Sequence, residues 1–300
     1  MIKKLSSNYN HSFWNAMKGE ASDYRDIQEG YNSGSYVMPD ESRQKLEAAL
    51  AKENLFRRFA TVVNLSVSDG VIQAISSTGE AELVEEGEAF PESADTFTQF
   101  PVKSYKLAGM SRLNKSFVLD TNFDLEKYLS NDFAKRFGRD EENIFINGNG
   151  TTQPRGVLTN NADVITEANN AISYDEVTKL YFSLKAEYRK DAVFLMHDDT
   201  AMQLRLLKDN AGNYLWNASN DTIFGKPVVT SPYMPEIAAG AKPIVFGDLS
   251  YYWIVERQPL SIKRFNELYV LQGQIGFAGH ERIDGKLIQP DAVRILQVRA

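Results

Sequence analysis

Apolar positions recur every three or four residues along the segment that begins near Asp124, which predicts a long amphipathic helix. At about 1.5 Å per residue, about 22 residues make a rod of roughly 33 Å. Gly138 lies near the middle of the rod, where a glycine costs up to ~1 kcal/mol relative to alanine. The apolar positions are Leu125, Tyr128, Leu129, Phe133, Phe137, Ile144 and Phe145.

Shorter helices are predicted on both sides of this rod. Residues 39–60 contain good helix formers behind a proline and two acids, a pattern typical of one helix or a helix pair. Ser173 followed by Glu176 forms a capping box that marks another helix start. Asp198 or Asp199 is expected to cap the helix that follows a short buried strand at 192–197.

Two segments with strand character flank an acidic run. Residues 61–76 alternate around Asp69-Gly70, a pair that favours a hairpin turn, and residues 102–114 have the pattern of a further strand. Residues 62–114 therefore predict a long two-stranded protrusion with a charged tip. Such a ribbon is marginally stable alone, so we expect a neighbouring subunit to cover it. The chain beyond residue 224 is β-rich, and the fold class is α+β.

Composition narrows the function classes. The 300 residues are 43% hydrophobic, as in globular rather than disordered chains. No run reaches the ~18 to 20 apolar residues of a membrane helix, and no apolar signal region follows the N-terminal lysines, so neither membrane insertion nor export is expected. Without cysteine there is no disulfide or thiolate chemistry, which fits a reducing cytoplasm and leaves stability to packing or assembly.

The charge is unevenly placed. A net charge of -7 argues against a dedicated nucleic-acid binder, because phosphate neutralisation needs a basic surface. Seven acids and no Lys or Arg fall between residues 80 and 95: Glu80, Glu82, Glu85, Glu86, Glu88, Glu92 and Asp95. Basic residues elsewhere are candidates to meet this run in another subunit, although each taken singly is equally well explained as a solvated charge. The candidate contacts are Glu82, Glu85, Glu86 and Glu88 with Arg57, Arg58, Lys135, Arg136 and Arg139.

Residues 1–35 form a polar segment with isolated aromatic residues and no sustained helical or strand period. Exposed aromatic side chains on a segment with few core-forming residues need a surface to lie against, so we expect an N-terminal arm. A frayed terminus is the alternative.

Three short motifs contain groups that could carry chemistry. Gly148-Asn149-Gly150 has the composition of a phosphate loop, but it follows a helix instead of preceding one, which favours a helix stop with left-handed residues. His197-Asp198-Asp199 has the groups of a metal site or general base, but adjacent residues rarely converge on one ion, which favours the helix cap. His280-Glu281-Arg282 and His11 have no partner at a recognisable spacing. We predict no catalytic residue, no metal and no cofactor.

Six further segments stand in a fixed order along the chain: SGSYVMPDE at 33–41, VEEGEAFPESADTFTQFPVKSYKLAG at 84–109, EENIFINGNGTTQPRGVL at 141–158, LLKDNAGNYLW at 206–216, FGKPVVTSPYMP at 224–235 and VFGDLSYYWIVER at 245–257. Each is weak alone. In this order, over residues 33–300, the chain resembles the major capsid proteins of tailed bacteriophages with the Hong-Kong-97-like fold.

The resemblance implies a division of the chain into four parts. Residues 1–35 would be an N-terminal arm and residues 66–104 an extended loop. The peripheral domain, built on a long spine helix, would comprise 36–65, 105–162 and 259–282. The axial domain would comprise 163–258 and 283–300.

The resemblance also implies a function. The chain would be the major capsid protein of a tailed double-stranded DNA bacteriophage or prophage, not an enzyme. Its copies would form hexamers and pentamers and then an icosahedral virion capsid, assembled in the bacterial host cytoplasm. Implied partners are a portal protein, a separate scaffolding protein, a maturation protease and packaged DNA bound without sequence specificity; a decoration protein is a further candidate, and no membrane is involved. The alternatives are an encapsulin-like nanocompartment shell that encloses a cargo enzyme, and an enzyme.

Two features depart from the family pattern. Some members join neighbouring subunits by an isopeptide bond between a lysine on the extended loop and an asparagine in the peripheral domain, helped by a glutamate. Here Gly87, Gly273 and His280 align near those three positions, and residues 80–95 contain no lysine, so a non-covalent shell is expected. Few residues precede the motif at 33–41, so a scaffolding segment is either a separate protein or missing from this sequence.

Overall fold

A computed structural model of the chain describes residues 7–20, 31–32, 35–36, 38–65, 70–77, 96–120, 122–209, 211–216 and 221–300. The helices within these residues are α1 (Ser7–Lys18), α2 (Asp40–Glu53), α3 (Leu55–Phe59), α4 (Lys115–Val118), α5 (Leu125–Asn147), α6 (Tyr174–Ser183), α7 (Ala186–Arg189) and α8 (Asp198–Arg205). The predicted helix pair at 39–60 is confirmed. So is the capping box of Ser173 with Glu176.

Strands in the same part of the chain form two larger sheets and two ribbons. They are β1 (Tyr31–Asn32), β2 (Ser35–Tyr36), β3 (Thr61–Asn64), β4 (Gly70–Ser77), β5 (Thr96–Val102), β6 (Tyr105–Asn114), β7 (Val164–Ile165), β8 (Val193–Met196), β9 (Thr222–Ile223), β10 (Lys226–Thr230), β11 (Ile244–Gly247), β12 (Tyr252–Phe265), β13 (Gln274–Leu287) and β14 (Val293–Gln297). One sheet has the order β3-β12-β13-β6 and the other β7-β14-β11-β8-β10-β9.

Helix α5, the spine helix, is continuous over 23 residues and packs on one face of the four-stranded sheet. Its rings meet strand positions that have no side chain. A Cβ on Gly279 would lie 3.1 Å from the ring of Phe133, and one on Gly109 would lie 3.3 Å from the ring of Phe137. The glycines therefore let a helix with large aromatic residues approach the sheet closely.

Gly138 does not interrupt the spine helix. A Cβ at this position would lie 3.2 Å from the Cβ of Glu53 and 3.6 Å from the Cβ of Asn54, at the junction of α2 and α3. Burial of α2 against the spine, with Leu46 and Leu50 inside, offsets the helix-propensity cost of the glycine. Close packing explains the glycine that sequence alone marked as a weakness.

The N-terminal segment contains a helix that the sequence did not predict. Helix α1 buries Tyr9, Phe13 and Met17 in the same core as the spine helix. The indole Nε1 of Trp14 donates to Ser42 Oγ at 3.0 Å. The aromatic residues of α1 therefore pack against their own chain.

The six-stranded sheet has a different core on each face. Phe194, Met196 and Phe246 point to one face, where α6 and α8 supply Leu180 and Leu204. The alternate residues Val193, Leu195 and Val245 point to the other face, where they meet the end of the spine helix and the start of the four-stranded sheet. Central strands β8 and β11 are buried throughout, as expected of strands covered on both sides.

The ribbon exists, but its pairing differs from the prediction. β4 pairs with β5, β3 pairs in parallel with β12, and β6 joins β13 in the four-stranded sheet. The expected hairpin around Asp69-Gly70 is therefore wrong, because the strands on its two sides belong to different sheets. Ile72 and Val102 anchor the ribbon base on Val255 and Ile288. The acidic run at 80–95 lies outside the described residues.

Strands β12 and β13 contribute both to the core around the spine helix and to the core shared with the six-stranded sheet. They pair antiparallel from Tyr252↔Leu287 to Phe265↔Gly276, with register shifts between Glu256 and Ser261. The domain limits expected at 258/259 and 282/283 therefore fall inside continuous strands.

We expect Gly138→Leu to lower the free energy of unfolding by about 1–3 kcal/mol, because a side chain at this contact forces α2 away from the spine helix. Urea denaturation of unassembled subunits, followed by circular dichroism, measures the loss. Asn131→Leu on the exposed side of the same helix is the matched control and should stay within about 0.5 kcal/mol of the parent. Equal stability of the two variants would contradict the packing role.

Candidate functional site

The loop after the spine helix is a structural joint. Gly148 ends the helix in an extended conformation, with its N–H on Ile144 O at 2.7 Å. A Cβ at Gly148 would lie 2.2 Å from the carbonyl oxygen of Pro154, so close backbone packing requires glycine here. Gly150, with φ of 70°, has the left-handed conformation that was expected. The helix stop is confirmed, although its first glycine is not left-handed.

This loop is not arranged to hold a phosphate. Asn149 Oδ1 accepts from the N–H groups of Thr151 and Thr152 at 2.9 and 3.0 Å. A phosphate-binding loop needs such N–H groups free at the start of a helix. Here a side chain already uses them, which supports the structural interpretation.

A cluster of buried charges lies where α3, the spine helix and strands β12 and β13 meet. Arg57 Nε donates to Glu141 Oε2 at 2.9 Å, and its Nη1 donates to Glu256. The exposed fractions of the Arg57 and Glu141 side chains are 6% and 0%. Asn54 caps α3 and donates from Nδ2 to Glu141 at 2.9 Å. Arg57, expected as a surface cation for another subunit, is therefore committed inside its own chain.

Glu281 adds a third carboxyl group to this cluster. Burial, followed by the negative charge of Glu141, raises its pKa well above the ordinary value of 4.5. One guanidinium serves three carboxyl groups, so the cluster favours the protonated form of Glu281. Sequence reasoning missed these acids, because Glu141, Glu256 and Glu281 lie far apart along the chain and only the fold brings them together.

The other basic candidates lie on the surface, in different settings. Arg58 stacks on Phe59, with its guanidinium carbon 5.2 Å from the ring centre. Arg136 is held by Asp132 at 3.0 Å and donates to the carbonyl of Met110 at 2.9 Å. Lys135 and Arg139 are exposed on the spine helix and form no ion pair within the described part of the chain. Their expected partners Glu82, Glu85, Glu86 and Glu88 lie outside it.

His197, not an aspartate, caps α8. Its Nδ1 accepts from the N–H of Asp199 at 3.1 Å, which corrects the expectation of Asp198 or Asp199 as the cap. His197, Asp199 and Glu236 have ligand atoms within 4.8 Å of one another. Both carboxylates are exposed, and one imidazole nitrogen already accepts from the backbone. Capping of α8 therefore explains the position of His197 without a metal ion.

An apolar cavity of about 310 Å³ lies between α6, α8 and β9. Its lining is hydrophobic and aromatic and includes Val177, Leu204, Trp216, Ile223 and Phe224. None of the described residues that line it is a carboxylate, a histidine or a lysine. Among the described helices, none is both long and apolar enough to span a bilayer.

Comparison with known proteins points to one family. The model of the phage capsid family matches residues 34–298. The capsid of an empty GTA particle is 30% identical, with a TM-score of 0.70 over 82% of this chain and 89% of that one. The capsid of a native GTA particle is 29% identical, with a TM-score of 0.67 over 82% of this chain and 90% of that one. A Gordonia phage Cozz structure is 11% identical, with a TM-score of 0.61 over 83% of this chain and 87% of that one. At this identity the likeness is one of fold alone. Among curated proteins, none matches.

Removing the buried cation should be costly. Arg57→Ala leaves Glu141 and Glu256 charged and unpaired, so we expect about 3–5 kcal/mol less stability. Arg58→Ala removes an exposed cation from the adjacent position and should change stability by no more than about 0.5 kcal/mol. Denaturant unfolding of both variants measures the difference. Similar values for the two would show that the cluster does not depend on its arginine.

The raised pKa of Glu281 predicts a pH dependence. Because the folded pKa of Glu281 is raised, the folded chain binds more protons than the unfolded chain above pH 4.5. Stability due to this group is therefore lost as pH rises, by up to about 1.4 kcal/mol per pH unit. Glu281→Gln, which does not titrate, should remove that part of the slope. Unfolding free energies at about pH 5, 7 and 9 measure it; identical slopes would sink the assignment.

Proposed function

We propose, from the fact that this chain belongs to the phage capsid family, that its copies assemble through hexamers and pentamers into a closed icosahedral shell. The chain is a major capsid protein with the predicted α+β, Hong-Kong-97-like fold. Its place is the capsid of a phage-like particle. The family match over residues 34–298 carries this conclusion, and it disfavours the encapsulin-like alternative.

We assign the parts of the fold to roles in that shell. The spine helix with the four-stranded sheet is the peripheral domain, and the six-stranded sheet is the axial domain, which would line the fivefold and sixfold axes. The ribbon of β4 and β5 is the base of the extended loop. At the base, Ile72 and Val102 are buried, whereas Val71 on the opposite face of the ribbon is 53% exposed. A neighbouring subunit that covers the ribbon would supply the stability that two strands lack alone.

Charge pairs between copies would set the register of neighbours more than the strength of the shell. The acids Glu82, Glu85, Glu86 and Glu88 are the proposed negative partners. Arg58, Lys135 and Arg139 stay as proposed positive partners, because all three are exposed. Arg136 is less available, since Asp132 and the Met110 carbonyl hold it.

The remaining roles follow from the shell assignment. We propose that the particle encloses double-stranded DNA without sequence-specific contacts, and that the net charge of -7 keeps this DNA mobile. The protein itself would have no enzymatic activity. A portal protein, a separate scaffolding protein and a maturation protease would act in assembly in the host cytoplasm, with a decoration protein as a further candidate.

We propose that the subunits are held without covalent links. Gly273 has the left-handed φ of 63° at the turn before β13, and His280 contacts Ser261 Oγ at 3.1 Å. Gly273 has no carboxamide to form an isopeptide bond, and the position aligned with the lysine is Gly87, outside the described residues. Packing and charge are then the forces that join the subunits.

The purified protein should form hexamers, tubes or shells in electron microscopy, because the exposed ribbon is stable only when a neighbour covers it. Mature particles boiled in denaturant should run as single chains on a gel. A ladder of linked chains would contradict the non-covalent shell, and a persistent monomer in all conditions would contradict the capsid role. DNA inside particles from the native source supports a genome container, whereas a packaged enzyme would favour the encapsulin-like alternative.

A further inference from the structure

The irregular part of the β12–β13 ladder lies next to the buried charge cluster. Gln258 and Ser261 of β12 pair with the two chain neighbours of Glu281, so the two residues between them stand opposite Glu281 alone. Two residues against one make a β-bulge. One of the two is Pro259, which has no N–H to donate to the ladder. Glu281 therefore lies where the backbone pairing of the two long strands is interrupted.

The side chain of Glu281 points into the molecule and meets the spine helix. Glu281 is 2% exposed, and its Oε1 has no hydrogen-bond partner among the described residues. Its carboxyl group hydrogen-bonds the carboxyl group of Glu141. Such a bond needs a proton on one of the two groups, because an ionised carboxylate can only accept. The contact between β13 and the spine helix at this point therefore depends on a proton.

Of the two carboxyl groups, Glu281 is the one that favours the proton. Glu141 accepts from Arg57 Nε and Asn54 Nδ2, both at 2.9 Å, and these donors stabilise its ionised form. Burial, followed by the negative charge of Glu141, raises the pKa of Glu281 well above its ordinary value. An ionised Glu281 would place a second buried carboxylate against the first, which is unfavourable.

The surroundings of Glu281 offer little charge compensation. Charged groups reach the cluster from four elements: Glu141 on the spine helix, Arg57 on α3, Glu256 on β12, and Glu47 with Arg43 on α2. Glu47 is exposed and pairs with Arg43 at 3.6 Å, at the edge of the cluster. The β6 residue opposite Glu281 is the uncharged Leu107. Within the described chain Arg57 pairs with the other two buried acids, and Glu281 forms no ion pair.

Helix α3 is held to the spine helix by neighbouring carboxylates. Its N-cap Asn54 donates to Glu141, and Leu55 N donates to Glu142 Oε2 at 2.9 Å. The helix also carries Arg57, the cation of the cluster. Because α3 has only five residues, few hydrogen bonds of its own keep it in place. A change of charge beside Glu141 therefore acts on the attachment of α3.

We propose that Glu281 is a proton-operated latch. With its proton, Glu281 holds α3 and the β12 bulge against the spine helix; its ionisation opens this contact while the rest of the subunit stays folded. Residues 54–60 and 256–261 are here called the latch region. Proteins open locally in units of this kind, at free energies below that of complete unfolding. The latch is a property of the single subunit, so its test does not depend on the proposed capsid function.

The direction of the pH effect follows from the two protonation states. Below about pH 4.5 Glu281 carries a proton in both the closed and the open form, so pH does not act through this group. Above that value the solvated open form loses the proton, whereas the closed form keeps it until its raised pKa is reached. In that interval the ratio of open to closed molecules should rise up to about tenfold per pH unit. Low pH therefore closes the latch and high pH opens it.

Hydrogen exchange with mass spectrometry on the full-length chain tests the latch. Glu281→Gln keeps a donor for Glu141 and does not titrate, and Glu281→Met is a second uncharged variant. Asp140→Asn, which removes an exposed acid next to Glu141, is the matched control. All chains are compared at equal pH, from about pH 5 to 9, so the intrinsic pH dependence of amide exchange cancels. Residues 193–196 and 244–247 of the six-stranded sheet are the reference, and circular dichroism checks folding.

We expect exchange in the latch region of the wild type, relative to Glu281→Gln, to rise about tenfold or more between pH 5 and 7. The latch region should also exchange about tenfold or more faster than the reference strands at pH 7, because it opens without complete unfolding. Asp140→Asn should follow the wild type. If neither uncharged variant folds, wild-type rates divided by those of an unstructured peptide at the same pH should show the same rise.

Three results would overturn the proposal. Latch-region exchange that keeps a constant ratio to the Glu281→Gln rate at every pH shows that Glu281 does not control opening. A single common rate for the latch region and the reference strands shows that the molecule opens only as a whole. Loss of the pH effect in Asp140→Asn assigns it to the general charge of the spine helix instead of the buried carboxyl pair.

Discussion

Burial of one helix against two sheets is the constraint on which the structure depends. The spine helix lies along the four-stranded sheet, and its last turns reach the six-stranded sheet. Phe145 at this end packs on Tyr252 and Phe56, with ring centres 5.5 and 5.8 Å apart. The Tyr252 hydroxyl donates to the Arg155 carbonyl at 3.0 Å, which ties the loop after the helix to the same contact. The positions of α2 and α3 follow from this one buried rod.

Charge is sorted by environment in a consistent way. Beneath the four-stranded sheet, a single guanidinium holds buried carboxyl groups together, and burial with the charge of Glu141 raises the pKa of Glu281. The outer side of the same sheet has exposed cations, Lys106 and Arg282 among them, that form no ion pair among the described residues. The interior cluster is held within the subunit, without a partner.

Local signals in the sequence predicted local structure well. The spine helix, the helix pair at 39–60 and the Ser173 cap depend on neighbours within a few residues, and all are confirmed. The predictions failed where the structure depends on contacts between residues that are far apart in the sequence. Asp69-Gly70 is a pair that favours a hairpin turn, but β3 pairs with β12 and not with β4. The charge cluster joins Arg57, Glu141, Glu256 and Glu281, which lie on four separate elements, and no spacing rule in a single sequence reports such contacts.

Continuous strands have a mechanical consequence for the subunit. β12 and β13 form one ladder, and its irregularity lies between Glu256 and Ser261. A regular ladder resists bending, because bending breaks hydrogen bonds in series, whereas a bulge concentrates twist in a few residues. Twist within the four-stranded sheet is therefore concentrated at this bulge. A subunit that must adopt different curvatures has one place in its longest strands at which to do so.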